Sequence, residues 1–175
     1  LRYNYNRIDF IDEPVDLGFD CPLDLHCSYT REQLLVAMDF MKPSIVREGV
    51  KWLPDKNIDV FFITLNKSDK DYSPTTMYQD YSINETLFHW QSQSTTNAEG
   101  KVGQRYINHR KNGSKVLLFV REFKNDIYGN TAPYTYLGTA NYVSHNGSRP
   151  MNITWKLDEP IPAKYLKKTN KLVVG

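Results

Sequence analysis

At 175 residues, 40% hydrophobic and 24% charged, the chain has the length and apolar content of one packed domain, or one domain with a small appendage, which excludes a disordered segment. It begins at Leu1 rather than Met and has neither an apolar run of eighteen residues nor a charged-then-apolar leader, so we expect a soluble, cytoplasmic fragment with no membrane association. Cys21 and Cys27 form no CxxC pair and His26 stands alone beside them, so neither a disulfide framework nor a metal site is expected, and no cofactor.

The net charge of +2 divides unevenly. Residues 1–25 hold six acids against Arg2 and Arg7, whereas residues 101–124 hold seven Lys and Arg against Glu122 alone. A basic stretch of that size suits phosphate contact with counterion release, and equally a solvated lysine-rich loop.

The acidic start, with Pro14, Gly18 and Pro22, reads as a linker or packed arm. Thr30 and Gln33 have capping-box spacing, and Leu34, Leu35, Met38 and Met41 fall on one helical face that Pro43 closes. Residues 1–50 are therefore read as an N-terminal arm and helix, and 51–175 as a β-rich domain. Val50 to Leu53, the turn Pro54-Asp55-Lys56-Asn57 and Ile58 to Leu65 predict a hairpin with a buried second strand. Val116 to Val120, bounded by Asn112-Gly113, predicts another strand. Tyr134 to Val143 predicts a third, in which Gly138 marks a bulge or a close backbone approach. Met151, Ile153, Trp155 and Leu157 alternate with polar residues, the period of a strand with one wet face. Short strands with Gly and Asn turns predict a β-dominated α+β fold, a small curved sheet or barrel with an N-terminal helical segment.

Seven segments carry a resemblance: DVFFITLNKS (59–68), YSPTTMYQDY (72–81), LFHWQSQS (87–94), GQRYINH (103–109), VLLFVRE (116–122), YLGTANYVSH (136–145) and RPMNITWKLDEPIPA (149–163). Together they resemble the domain C-terminal to the helicase motor in many bacterial superfamily-2 proteins, catalogued as a domain of unknown function. It includes the presumed target-recognition part of the restriction enzyme SauUSI. The resemblance implies a type IV system, in which nuclease and helicase domains of the same polypeptide act on double-stranded DNA carrying 5-methylcytosine or 5-hydroxymethylcytosine. This chain has no GxxxxGK[ST] phosphate loop, so it is expected to bind rather than catalyse.

A reader of one methyl group senses it in the major groove, or flips the base and encloses its edges. The second option needs two aromatic faces, an acceptor for the cytosine amino group and small polar groups near the carbonyl. Tyr78, Asp80, Tyr81, Phe88, Trp90, Gln91 and Ser92 supply that kit within one loop-and-strand unit. Tyr78 or Tyr81 is one face, Trp90 the other, and Asp80 the acceptor. On a strand, Phe88 and Trp90 share one side and His89 and Gln91 the other, and either pair suits the pocket. In outline the unit is similar to the SRA (SET and RING-associated) domains, whose flipped-base pocket uses an aromatic, an acid shortly after it and an aromatic on the next strand. Each of these residues also has an ordinary reading, the aromatics as core and Asp80 as a turn cap. Gln104, Arg105, Arg110, Lys111 and Arg149 are candidates for backbone or groove contact, with Gln104 or Arg105 filling the gap left by an extruded base.

Three alternatives compete. Pro54-Asp55 with Glu122-Phe123-Lys124 spells the parts of a metal-dependent nuclease. A PUA-type barrel would bind DNA or RNA without regard to modification. A docking domain for the motor would keep the aromatics in its core.

Overall fold

The computed structural model describes residues 21–42, 49–66 and 80–169. Eight strands in these segments form one mixed sheet: β1 (Ser28–Tyr29), β2 (Val50–Leu53), β3 (Ile58–Asn66), β4 (Tyr81–Ser82), β5 (Leu87–Gln91), β6 (Lys115–Phe123), β7 (Tyr134–Asn146) and β8 (Asn152–Leu157). Three short helices accompany them, α1 (Arg31–Ala37), α2 (Lys101–Ile107) and α3 (Ala163–Thr169). The strand order is β2-β3-β6-β7-β8-β5-β4, with β1 added on β7. The fold is β-dominated α+β, and its sheet is open rather than closed into a barrel.

The predicted hairpin forms as β2 and β3 around the Pro54–Asn57 turn, with Asn57 at φ +58°. β3 then pairs in parallel with β6, and a strand in mid-sheet is buried on both faces, which explains its unbroken apolar run. Phe61, Ile63 and Leu65 enter one core with Val116, Leu118, Val120, Trp90 and Trp155. Val60 and Phe62 enter the other, with Leu117, Phe119, Tyr134 and Tyr136.

Helix α1 closes this second core. Thr30 Oγ1 accepts from the Gln33 N–H at 3.1 Å and Gln33 Oε1 accepts from the Thr30 N–H at 2.9 Å, so the capping box is complete. Leu34 and Leu35 are fully buried, each stabilising by roughly 1.5–3 kcal/mol. The predicted helical face is too long by one turn. The helix ends at Ala37, Asp39 adopts φ +62°, and Met41 is 73% exposed, while Pro43 lies outside the described residues.

Gly138 serves both purposes suggested for it. The β6–β7 register shifts there, opposing Leu118 to Gly138 but Phe119 to Tyr136, and Gly138 has φ +92°. A Cβ on it would lie 2.9 Å from Leu25 Cδ1. A second shift follows, with Tyr142 opposite Trp155 but Ser144 opposite Thr154, so Val143 bulges out of β7.

Candidate nucleic-acid interface

Phe88 pairs with Trp155 and Trp90 with Ile153 across β5 and β8, on the face that carries the first core. Phe88 is fully buried, and Trp90 stacks on Phe61 with ring centroids 4.2 Å apart. This corrects the expectation that Trp90 walls an open pocket: its indole faces are already covered by core side chains. Ser92 is buried too, accepting from the Met151 N–H at 2.8 Å and donating to the Gln93 carbonyl at 3.1 Å. Asp80 is buried, and its carboxylate accepts from the Gln91 N–H at 2.8 Å, which joins β4 to the end of β5. Tyr78 lies outside the described residues.

The opposite face of the same strands is polar and half-buried to exposed. Tyr81 opposes His89, His89 opposes Thr154 and Thr154 opposes Ser144, forming one row across four strands. The Tyr81 and His89 rings stack at 4.8 Å. A second row joins Gln91, Asn152 and Asn146, with Gln91 Nε2 donating to Asn152 Oδ1 at 3.3 Å. Among the expected pocket residues the structure therefore puts Tyr81 and Gln91 on the outer side and buries Asp80, Phe88, Trp90 and Ser92.

The basic stretch is not the wet loop its composition suggests. It contains α2, whose Tyr106 is fully buried and donates to Gln93 Oε1 at 3.3 Å. Burial pushes the Tyr106 phenol up to about 12. Gly103 is required in α2 because a Cβ there would sit 2.2 Å from the Asn97 carbonyl oxygen. Arg105 is no groove contact: its Nε and Nη2 reach Asp59 at 2.9 and 2.8 Å, and its guanidinium lies 4.6 Å from the Trp52 ring centroid. Asp59 is wholly buried, and burial pushes its carboxyl up while Arg105 draws it back. Gln104 is occupied as well, donating to the Ala98 carbonyl at 2.8 Å and accepting from Asn108 Nδ2 at 2.9 Å.

His109 is buried with both ring nitrogens bonded. Its Nδ1–H donates to the Ser114 carbonyl at 3.2 Å, and Nε2 accepts from the Tyr142 N–H at 3.0 Å beside the β7 bulge. Those partners require the neutral ring, and burial lowers its pKa.

Of the basic stretch, Lys101, Arg110, Lys111 and Lys115 before and at the start of β6, and Lys124 past its end, are exposed and without a carboxylate partner among the described residues. Lys101 opens α2, Arg110 and Lys111 lie in the turn after it, and Lys115 opens β6. Arg149, in the β7–β8 turn, is also exposed; it adopts φ +59° and its N–H donates to the Thr96 carbonyl at 2.9 Å. The nuclease set fails on register. Ile58 opposes Lys115, which places Asp55 and Glu122 at opposite ends of parallel strands, roughly 20 Å or more apart, too far to share a metal. Among the described residues no group of three His, Cys, Asp or Glu side chains can hold a metal ion, and no helix is long and apolar enough to cross a membrane.

The family model described as Domain of unknown function (DUF3427) matches residues 23–168, most of the chain. No curated protein matches it.

Proposed function

This chain belongs to the DUF3427 family, and from that premise we propose that it is the target-recognition domain of a modification-dependent, type IV restriction enzyme. On this reading it binds duplex DNA, flips 5-methylcytosine or 5-hydroxymethylcytosine out of the stack, and leaves cleavage and ATP hydrolysis to the nuclease and helicase domains of the same polypeptide. The domain is cytoplasmic, non-catalytic and without a cofactor. The observation that carries the DNA-binding part is the run of exposed cations along α2, the turn after it and the start of β6, Lys101, Arg110, Lys111 and Lys115, with no carboxylate partner among the described residues. Exposed cations without acidic partners attract phosphate and release counterions when they bind it. The modification preference is supported by the ordered resemblance of the seven segments.

The second reading is a general DNA- or RNA-binding or docking domain of a helicase, indifferent to modification. The burial of Phe88 and Trp90 favours it, because the two aromatics best suited to cage a base lie in the core.

One titration separates the two. Duplexes identical except for one central cytosine, methylated, hydroxymethylated or bare, are titrated at fixed salt against the chain and its Arg110→Ala/Lys111→Ala variant. The reader binds the modified duplex about tenfold to a hundredfold more tightly, and the variant weakens all duplexes alike, lowering the salt slope by about 2. Equal affinity for bare and modified duplexes, with a steep salt slope, selects the second reading.

A further inference from the structure

A cavity of about 230 Å³ opens at the other end of β6, on the face of the first core. Leu65, Val120 and Leu137 form its apolar floor, and Glu122, Thr135 and Tyr165 stand around them. The pairing of Val120 with Thr135 confirms that alternate residues of β6 and β7 point the same way here. Its size is selective. A cavity of about 150 Å³ accommodates benzene, and pockets for drug-sized ligands start near 300 Å³, so this one suits a single substituted six-membered ring.

Its chemistry narrows the ligand further. Glu122 is half-buried, and neither an ion pair nor a side-chain hydrogen bond engages its carboxylate among the described residues. That leaves an acceptor in the wall over an apolar floor, which suits a ligand amino group. Asn125, also in the lining, has an uncommitted amide that can donate to a ring nitrogen or carbonyl. Asp126 and Arg121 share the lining with Glu122, so the wall carries both signs and suits a neutral ring with both donors and acceptors on its edge. Tyr165 offers an aromatic face, and Lys164 Nζ lies 4.9 Å from its ring centroid.

The turn that continues from this lining is held rigidly. Asp126 Oδ1 accepts from the N–H groups of Tyr128 and Asn130, both at 2.9 Å. The Asp126 N–H donates to the Asn130 carbonyl at 2.8 Å, and Gly129 turns the chain at φ +83°. The turn presents Ile127 at 91% and Tyr128 at 82% exposure. Two large apolar side chains fixed in water on a stiff tip match the wedges with which proteins part a base step.

We propose that the cavity between β3, β6, β7 and α3 receives an extruded pyrimidine bearing an amino group, and that Ile127 and Tyr128 occupy the step it leaves. Glu122 accepts from the exocyclic amino group, Asn125 or Thr135 donates to the ring edge, and the Leu65–Val120–Leu137 floor receives a substituent at C5. Thymine, with a carbonyl in place of the amino group, is rejected by the carboxylate. The assignment rests on the reading of the chain as a base-flipping DNA binder, and it moves the pocket away from Trp90.

Two measurements on the 175-residue chain test it. In the first, 5-methyl-2′-deoxycytidine is titrated to millimolar concentration into the ¹⁵N-labelled chain. Shifts are expected at the amides of Asn125, Thr135 and Leu137 and not at Asn152 or Thr154 on the outer face; no shifts at the cavity overturn the assignment. In the second, Glu122→Ala and the pair Ile127→Ala/Tyr128→Ala are titrated against methylated and bare duplexes, with thermal melts confirming that both remain folded. Glu122→Ala is expected to lose about tenfold for the methylated duplex, whose cytosine is extruded into the cavity, and under twofold for the bare one, which is held through its phosphates with its cytosine still stacked. A wild-type preference that survives Glu122→Ala overturns the cavity and leaves the DNA-reading function standing. If the wild type has no preference, the reading under Proposed function falls, and the nucleoside titration alone decides whether the cavity takes a base.

Discussion

The two ends of β6 treat polar groups in opposite ways. Where β6 starts, at Lys115, the buried ionisable groups are matched: Arg105 grips Asp59 with two nitrogens and His109 is bonded at both ring nitrogens, although the buried Trp155 Nε1 next to His109 has no hydrogen-bond partner among the described residues, and the exposed cations stand in solvent. Where it ends, Arg121 is half-buried yet meets only neutral acceptors, the Thr64 hydroxyl at 2.9 Å and the Ala132 carbonyl at 3.1 Å, with its guanidinium 4.3 Å from the Tyr134 ring centroid. Burial and the nearby Arg31 lower its pKa, with Tyr134 opposing. Beyond it stand Phe123, Ile127 and Tyr128, exposed, and Glu122, without a counter-ion among the described residues. The first end is built to hold the sheet and display charge. The second leaves acceptors and apolar surface unmatched, as a recognition site does.

Removing the arginines should sharpen this contrast most. Arg105→Ala leaves a buried carboxylate with no cation and should cost about 3 kcal/mol, the low end for a broken buried pair because Arg105 keeps 20% side-chain exposure. Arg121→Ala removes two neutral hydrogen bonds and a ring contact and should cost about 1–2 kcal/mol. Urea denaturation of both variants checks the order, and equal losses would erase the distinction between a structural and a loosely held cation. Glycines give the next smaller effect. Gly103→Ala drives a Cβ against the Asn97 carbonyl and should cost about 1–3 kcal/mol. Gly129→Ala meets nothing within 4 Å and should cost only the strain of φ +83°, about 1 kcal/mol. A Gly129 variant less stable than the Gly103 variant would mean that the hairpin tip, not α2, is the tightly packed element.

The same contrast explains what could be read from the chain. Local signals were legible: the Thr30–Gln33 box, the Pro54–Asn57 turn, the apolar run of β3 and the alternation of β8 all depend on neighbours in sequence. Period-2 alternation placed Phe88 with Trp90 but left open which side of β5 faces inward, since that depends on β8 and Phe61. Helix α2 was hidden because Gly103 reads as a loop residue unless the Asn97 carbonyl is known to press on it. Arg105 looked like a phosphate ligand because its acid lies 46 residues away. The cavity was invisible for the same reason, being assembled from the ends of β3, β6, β7 and α3. Charge counting gave the sign of the basic stretch correctly without telling bound cations from unbound ones.

The smallest effect concerns pH and the stable end alone. His109 must stay neutral to accept the Tyr142 N–H, and its folded pKa is lowered first by burial and then by Arg110 and Lys115, while the Ser114 carbonyl and Asp158 oppose the shift. A depressed pKa means that the unfolded chain takes up the proton first. Its stabilisation is therefore complete above the ordinary histidine value near about 6.5 and is lost as pH falls through the lower folded value. His26 is also lowered, by burial and by Lys164, and contributes to the same window. His109→Gln separates the two, because glutamine titrates nowhere in this range. Denaturation midpoints between neutral and mildly acidic pH should fall more steeply for the wild type than for His109→Gln, although the variant starts lower. Parallel profiles would place the acid sensitivity at His26 and α3, near the cavity, and would make the recognition end rather than the Lys115 end the part of the fold that opens first in acid.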